Sequence, residues 1–211
     1  RLDCRTLAEF AEKHLLRKVA VPTQEEEADR QVCRLRDQLT KKIRRVKQQI
    51  KSLLLQHGIP QPEGLKTWTL EGIAALGALD VQPQIRLALD CLVDELKHLK
   101  QLRKRSETAR DGLLQRKRHR RQYRRLRTHP AVGPALGMAF LTELYQPGRF
   151  EKPEAVARFA GLAPRVSQSG QTRRDGPLMK AGQAPLRGLL IQAAWRWIGK
   201  ETGARDYYDR I

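Results

Sequence analysis

Val32-Cys33-Arg34-Leu35-Arg36-Asp37-Gln38-Leu39-Thr40-Lys41-Lys42-Ile43-Arg44-Arg45-Val46-Lys47-Gln48-Gln49-Ile50-Lys51-Ser52-Leu53 is the stretch on which the architecture turns. Val32, Leu35, Leu39, Ile43, Val46, Ile50 and Leu53 recur at alternating spacings of three and four. On a helix that spacing makes one apolar stripe, a heptad seam that requires a partner. Lys41, Lys42, Arg44, Arg45, Lys47 and Lys51 fall on the opposite face. Upstream, Thr23 is a suitable N-cap, and Glu25, Glu26 and Glu27 suit the positive end of a helix. Gly58-Ile59-Pro60 stops it, so the expected helix runs to about His57.

A matching stripe follows. Pro83 opens a second long helix with Ile85, Leu89, Leu92, Leu96 and Leu99 on one side, expected to continue to about Arg127. Between the two, residues 61–82 form a connector in which Trp68, Leu70, Ile73 and Leu76 anchor a small lobe. Two such helices make an antiparallel hairpin or an intermolecular coiled coil. Residues 1–18 read as a short helix on Leu7, Ala8, Ala11 and Leu15. From His129 the texture changes to short helical runs. One is Ala155 to Ala160, ending at Gly161, and the closing one carries Leu186, Leu189, Leu190, Ala193, Ala194 and Trp197. No segment alternates apolar and polar residues as a half-buried strand would. The expected fold is mainly α. It is a long helical hairpin or coiled coil followed by a small helical domain with a helix-hairpin-helix-like element, with boundaries at 1–22, 23–127 and 128–211.

Lys and Arg number 42 against 23 Asp and Glu, a net charge of +19 over 211 residues. Such an excess favours a polyanionic partner, because each neutralised phosphate releases counterions. No apolar run approaches the ~20 residues that span a bilayer, and no signal-peptide pattern opens the chain. Three cysteines, Cys4, Cys33 and Cys91, lie far apart. That argues against a disulfide framework or a zinc finger and fits a reducing, cytoplasmic compartment. The start at Arg1 rather than methionine is read as a fragment or a trimmed product.

Three places carry candidate chemistry. Arg116, Lys117, Arg118, Arg120, Arg121, Arg124 and Arg125, interleaved with His119 and Tyr123, form the densest positive run and a candidate phosphate-tracking surface. Charge alone supplies no sequence specificity there. The turn His129-Pro130-Ala131-Val132-Gly133-Pro134 opens a helix containing Gly137 and Ala139. Small residues allow close approach, and amides at Gly133 can bind phosphate. The third is Arg165-Val166-Ser167-Gln168-Ser169-Gly170-Gln171-Thr172-Arg173-Arg174. A serine beside glycine in a field of cations is a candidate nucleophile or contact for a phosphodiester, with Arg165, Arg173, Arg174 and Lys180 able to stabilise a pentavalent phosphate.

Three motifs together resemble the insertion-sequence-110 (116, 902, 1111) transposase family, also called bridge-RNA-guided recombinases. They are Arg1-Leu2-Asp3-Cys4-Arg5-Thr6-Leu7-Ala8, the turn at residues 129–134, and Phe159 to Arg165 with Ser169-Gly170 and Leu186 to Ala194. The resemblance covers essentially the whole chain. It implies a RuvC-like domain with a DEDD set of acidic residues binding Mg²⁺, a coiled-coil insertion, and a C-terminal transposase domain. That last domain supplies a serine nucleophile that links covalently to DNA. A structured noncoding RNA pairs with the DNA. On this chain Asp3 matches the last acidic residue of the set. Ser169 matches the serine, with Ser167 in reserve because Gln168 replaces a serine the family often has. Residues 1–22 correspond to the end of the RuvC-like domain, whose other carboxylates are absent. This stretch alone is therefore expected to hold no Mg²⁺ and to be inactive in cleavage, while binding DNA and RNA and forming a homodimer or tetramer through the coiled coil. The source implied is bacterial or archaeal, with the protein near the nucleoid.

Two rival readings stand beside this one. A non-catalytic basic helical module that binds RNA or DNA and dimerises predicts a dispensable Ser169. A purely structural coiled coil leaves the charge unexplained.

Overall fold

The structure, a computed structural model, describes residues 2–16, 20–169, 172–179 and 181–210, without the side chains of Leu2, Arg173 and Asp175. It is mainly helical. Helix α1 spans Leu2–Glu12, shorter than expected, and its apolar residues Leu7 and Phe10 are exposed. Helix α2 spans Gln24–Gln56. Thr23 caps it in a full capping box: its hydroxyl accepts from the Glu26 backbone N–H, and the Glu26 carboxylate accepts from the Thr23 N–H at 2.8 Å. Helix α3 is Leu70–Gly77, capped by Thr69, and helix α4 is Pro83–Gln115.

α2 and α4 pack antiparallel within one chain, as the Arg36–Glu107 and Asp29–Arg116 ion pairs at one end require. Leu39, Ile43, Val46, Ile50 and Leu54 of α2 meet Leu89, Val93, Leu96 and Leu99 of α4. Each side chain so buried contributes about 1.5–3 kcal/mol. The buried seam passes through Leu54 rather than Leu53, which is only half covered. A helix of 3.6 residues per turn drifts from a strict heptad, so the stripe moves by one residue. Trp68, Ile73 and Leu76 anchor the lobe at the tip as expected, but Leu70 does not. As the first residue of α3 it is 84% exposed.

The second long helix does not run on to Arg127. It breaks at Arg116, whose extended backbone (φ −61°, ψ 143°) redirects the chain into α5, Lys117–Leu126. Helix α6, Pro134–Leu144, then docks against α2, α4 and α5, with Met138 fully buried against Leu113 and Leu114. α7 is Pro153–Phe159, followed by β1 (Pro164–Ser169), β2 (Thr172–Leu178), α8 (Ala184–Ile198) and α9 (Thr202–Asp209). Leu186 of α8 is buried against Leu136 and Ala139 of α6, which fastens the last part of the chain to the hairpin's base.

The absence of strands expected from the sequence is therefore corrected. Residues 164–169 and 172–178 pair as a two-stranded antiparallel ribbon. β1 is exposed along its whole length, so no apolar face had to alternate, and hydrophobic periodicity had nothing to register.

Candidate functional site

The ribbon puts the candidate serines in a defined register. Ser167 pairs with Arg174, Gln168 with Arg173, and Ser169 with Thr172. Residues two apart on a strand share a face, and so do residues directly opposite. Ser167, Ser169, Thr172 and Arg174 thus line one face of the ribbon. Ser169 and Thr172 form its last described rung, with Gly170 and Gln171 outside the described residues. Arg165 lies near the base, where the register slips between Pro164 and Val166 and Gly176-Pro177 stand opposite it, an arrangement that suits a proline with no N–H to donate. Lys180 and the Arg173 side chain lie outside the described residues.

The base of the ribbon is clasped by two glycines. Gly161 (φ +72°) ends α7, and Gly182 (φ +129°) precedes α8. A Cβ on Gly182 would fall 2.6 Å from the Phe159 carbonyl oxygen. One on Gly161 would meet the Ala181 carbonyl at 2.7 Å and crowd the Arg187 guanidinium. Backbone hydrogen bonds close the clasp: the Met179 N–H donates to Ala163 O, and the Gln183 N–H to Phe159 O. Sequence reading finds Gly161 but not Gly182. A glycine three residues before Pro185 is the available signal.

The basic run divides into two faces. Arg116, Arg118 and His119 turn toward α2. Asp29, 3% exposed, receives His119 Nε2 at 2.7 Å, Arg118 Nη2 at 3.2 Å and Arg116 Nη1 at 3.4 Å. Arg118 also meets Glu25 at 2.7 Å. Lys117, Arg120, Arg121, Arg124 and Arg125 instead edge an open groove on the other flank. The first group holds α5 in place, and the second presents charge to solvent. Tyr123 lies between, its ring against the flat face left by Gly137 of α6, where a Cβ would fall 2.6 Å from a ring carbon. The small residues of α6 thus admit a side chain rather than a second backbone. Gly133 is the N-cap of α6, and the Arg196 guanidinium approaches it.

Asp3 lies on the exposed helix α1. Among the described residues no three His, Cys, Asp or Glu side chains gather as metal ligands. The described residues thus offer no ligand set for the Mg²⁺ that the resemblance implies. Cys33 is half-buried, with its thiol pushed up to about 11 by desolvation. Lys47 and Lys100 lie on the hairpin beside Trp68, the Lys47 ammonium 5.0 Å from the ring centroid. Burial first, then neighbouring cations, holds both lysines below the usual amine range.

No helix among the described residues is long and apolar enough to cross a membrane. Residues 123–209 match the model of the transposase IS116/IS110/IS902 family. The chain is 27% identical over 197 residues to y4qE of Sinorhizobium fredii (strain NBRC 101917 / NGR234), a transposase by name, covering 93% of this chain and 47% of that one. It is 31% identical over 189 residues to y4rJ of the same strain, also a transposase by name, covering 84% and 48%. Against the transposase for insertion sequence element IS1111A of Coxiella burnetii (strain RSA 493 / Nine Mile phase I) it is 27% identical over 207 residues, covering 92% and 53%. The chain thus spans about half the length of the curated relatives it matches. The match at residues 123–209 takes in the serine ribbon, its glycine clasp and, of α5's basic face, Arg124 and Arg125; over this segment the chain is similar to the transposase IS116/IS110/IS902 family.

Proposed function

We propose that this chain is the DNA-handling part of an insertion-sequence transposase, and that Ser169 is its nucleophile. The observation that carries the proposal is the ribbon, which holds Ser169 on an exposed rung on the same face as Arg174. Diagonal neighbours on such a face lie ~7–8 Å apart, within reach of an arginine side chain.

In the proposed step the Ser169 Oγ attacks the phosphorus of a DNA phosphodiester. An Oγ–P bond forms as the bond from phosphorus to a deoxyribose oxygen breaks. The serine proton passes to a base, and the departing sugar oxygen takes up a proton and leaves as a hydroxyl. The product is again a phosphodiester, so the same step run backward onto another strand's hydroxyl exchanges strands. Arg174 bears part of the charge on the pentavalent phosphate. The outer face of α5 holds neighbouring phosphates, of DNA or of a structured RNA, through Lys117, Arg120, Arg121 and Arg124. Self-association belongs to the same proposal. The buried seam is occupied by α4, so it would use other faces.

The test is the full-length protein with Ser169→Ala, assayed for covalent protein–DNA adducts on element-end DNA under denaturing conditions. The adduct is expected to vanish while DNA binding persists, and Ser167→Ala is expected to keep the adduct. An adduct that survives Ser169→Ala overturns the assignment. Loss with Ser167→Ala alone transfers it to Ser167.

A further inference from the structure

α5 is a ridge with a depression on each flank. One is the open groove edged by Lys117, Arg120, Arg121 and Arg124. The other is a cavity of about 410 Å³ between α5, α6 and the start of α2, floored by Leu126, Phe140, Leu141, Leu144 and Pro147. Arg125 lines both depressions. Gln122, which is exposed, stands at the mouth of the cavity with an amide that both donates and accepts.

The other polar groups at that mouth are already engaged. The Glu26 carboxylate accepts from Thr23, and Arg118 and His119 are held by Asp29. What remains is an apolar slot beside a cationic ridge, with one amide and one guanidinium at its edge. A stacked base pair cannot enter such a slot, but an unpaired base can. Its unstacking cost is least when it has no pairing partner.

We propose that this cavity receives an unpaired nucleobase of a DNA strand that α5 holds by its phosphates. Gln122 faces the edge of the base, and Arg125 bridges base and backbone. The inference rests on the reading that α5 contacts DNA, and it adds a structural preference to what is otherwise a charge contact.

The full chain is titrated with two short duplexes of the same sequence, one fully paired and one carrying a single unpaired thymine. Burying a base in such a slot is worth about tenfold in affinity, so the chain is expected to prefer the bulged duplex by about that factor. Gln122→Trp fills the mouth and is expected to remove the preference while leaving affinity for the paired duplex unchanged. Gln122→Ala leaves the cavity open and keeps most of the preference. Permanganate gives a second readout: the unpaired thymine is shielded by the parent chain and exposed with Gln122→Trp. Equal affinity for both duplexes, or a preference that survives Gln122→Trp, overturns the inference. Binding to neither duplex refutes the reading of α5 itself, and the cavity's role falls with it.

Discussion

Asp29 of α2 and His119 of α5 meet at 2.7 Å across a sequence separation of 90 residues, and both are buried. With Arg116 and Arg118 on the same carboxylate, this contact sets where α4 ends and which way α5 faces. A helix with cations on every side would otherwise present them all to solvent.

Removing that carboxylate leaves three cationic or polar partners without it. Arg116 and Arg118 stay partly exposed, so the main loss is the buried hydrogen bond to His119, which leaves a buried polar group unpartnered at about 1–3 kcal/mol. Asp29→Ala is therefore expected to lower the unfolding free energy by about that amount in a urea titration. Lys117→Ala, on the outer face, is expected to change it by less than about 0.5 kcal/mol. Equal effects from the two would deny Asp29 its anchoring role.

The division of α5 separates binding from stability. Arg120→Glu, Arg121→Glu and Arg124→Glu are expected to leave the melting temperature in place. Each should reduce the slope of log affinity against log salt by about one. Arg118→Ala is expected to do the reverse, lowering the melting temperature with a smaller effect on the salt slope. Melting curves and salt titrations on the same variants check both halves.

The clasp at the ribbon's base predicts two sensitive glycines. Gly161→Ala and Gly182→Ala force a side chain into a left-handed or mirror-extended backbone, where strain is worth about 1–3 kcal/mol, and into contact with carbonyl oxygens. The ribbon is expected to be cut faster by protease within residues 164–178, while the α2–α4 hairpin stays resistant. Gly203→Ala, where an added Cβ meets nothing, is the matched control. Unchanged cleavage in both clasp variants would refute the clasp.

Cys33 provides a readout of burial. Cys4 and Cys91 are exposed, whereas Cys33 is half-buried beside Met138 and Leu141 with its thiol held neutral up to about 11. An alkylating reagent near pH 8 is expected to label Cys4 and Cys91 within minutes and Cys33 only after denaturant is added. The sign of the pH effect follows from the same shift. Above the ordinary thiol value of 9.0 the unfolded chain loses the proton that the folded chain keeps until about 11. Cys33 therefore draws stability down as pH rises through that window. Replacing it with Ala should remove this component of the alkaline slope.

Much of the hairpin is legible in the order of residues alone. Thr23, Glu26, Gly58 and Pro83 act on backbone groups within a few residues of themselves, and they mark three of the four ends of α2 and α4. The centre of the apolar seam is legible, at Leu39, Ile43, Val46, Ile50, Leu89, Leu96 and Leu99, but Leu35 is exposed, Val32 packs against Met138's cluster instead, and Leu54 and Val93 enter the seam unannounced. The candidate site is less so. Ser169, Ser167, Arg174 and Gly161 can be singled out by residue type. Their common face on the ribbon, and the partnership of Gly161 with Gly182, cannot, because an exposed strand buries no apolar side chain that would mark its period.

The amino-acid sequence by itself determined the long helices, their caps and the apolar stripe that joins them, because helix periodicity and capping are local in chain distance. It also determined the cationic excess and the Ser169-Gly170 dipeptide. Tertiary structure alone decided the break at Arg116, the ribbon register that sets Ser167 opposite Arg174, and which of α5's cations face solvent. Those outcomes depend on contacts such as Asp29 with His119, made between residues that only the packed fold brings within hydrogen-bond distance. An arginine that anchors a helix and one that waits for phosphate are the same residue in a sequence; they differ in whether a buried carboxylate lies beneath them.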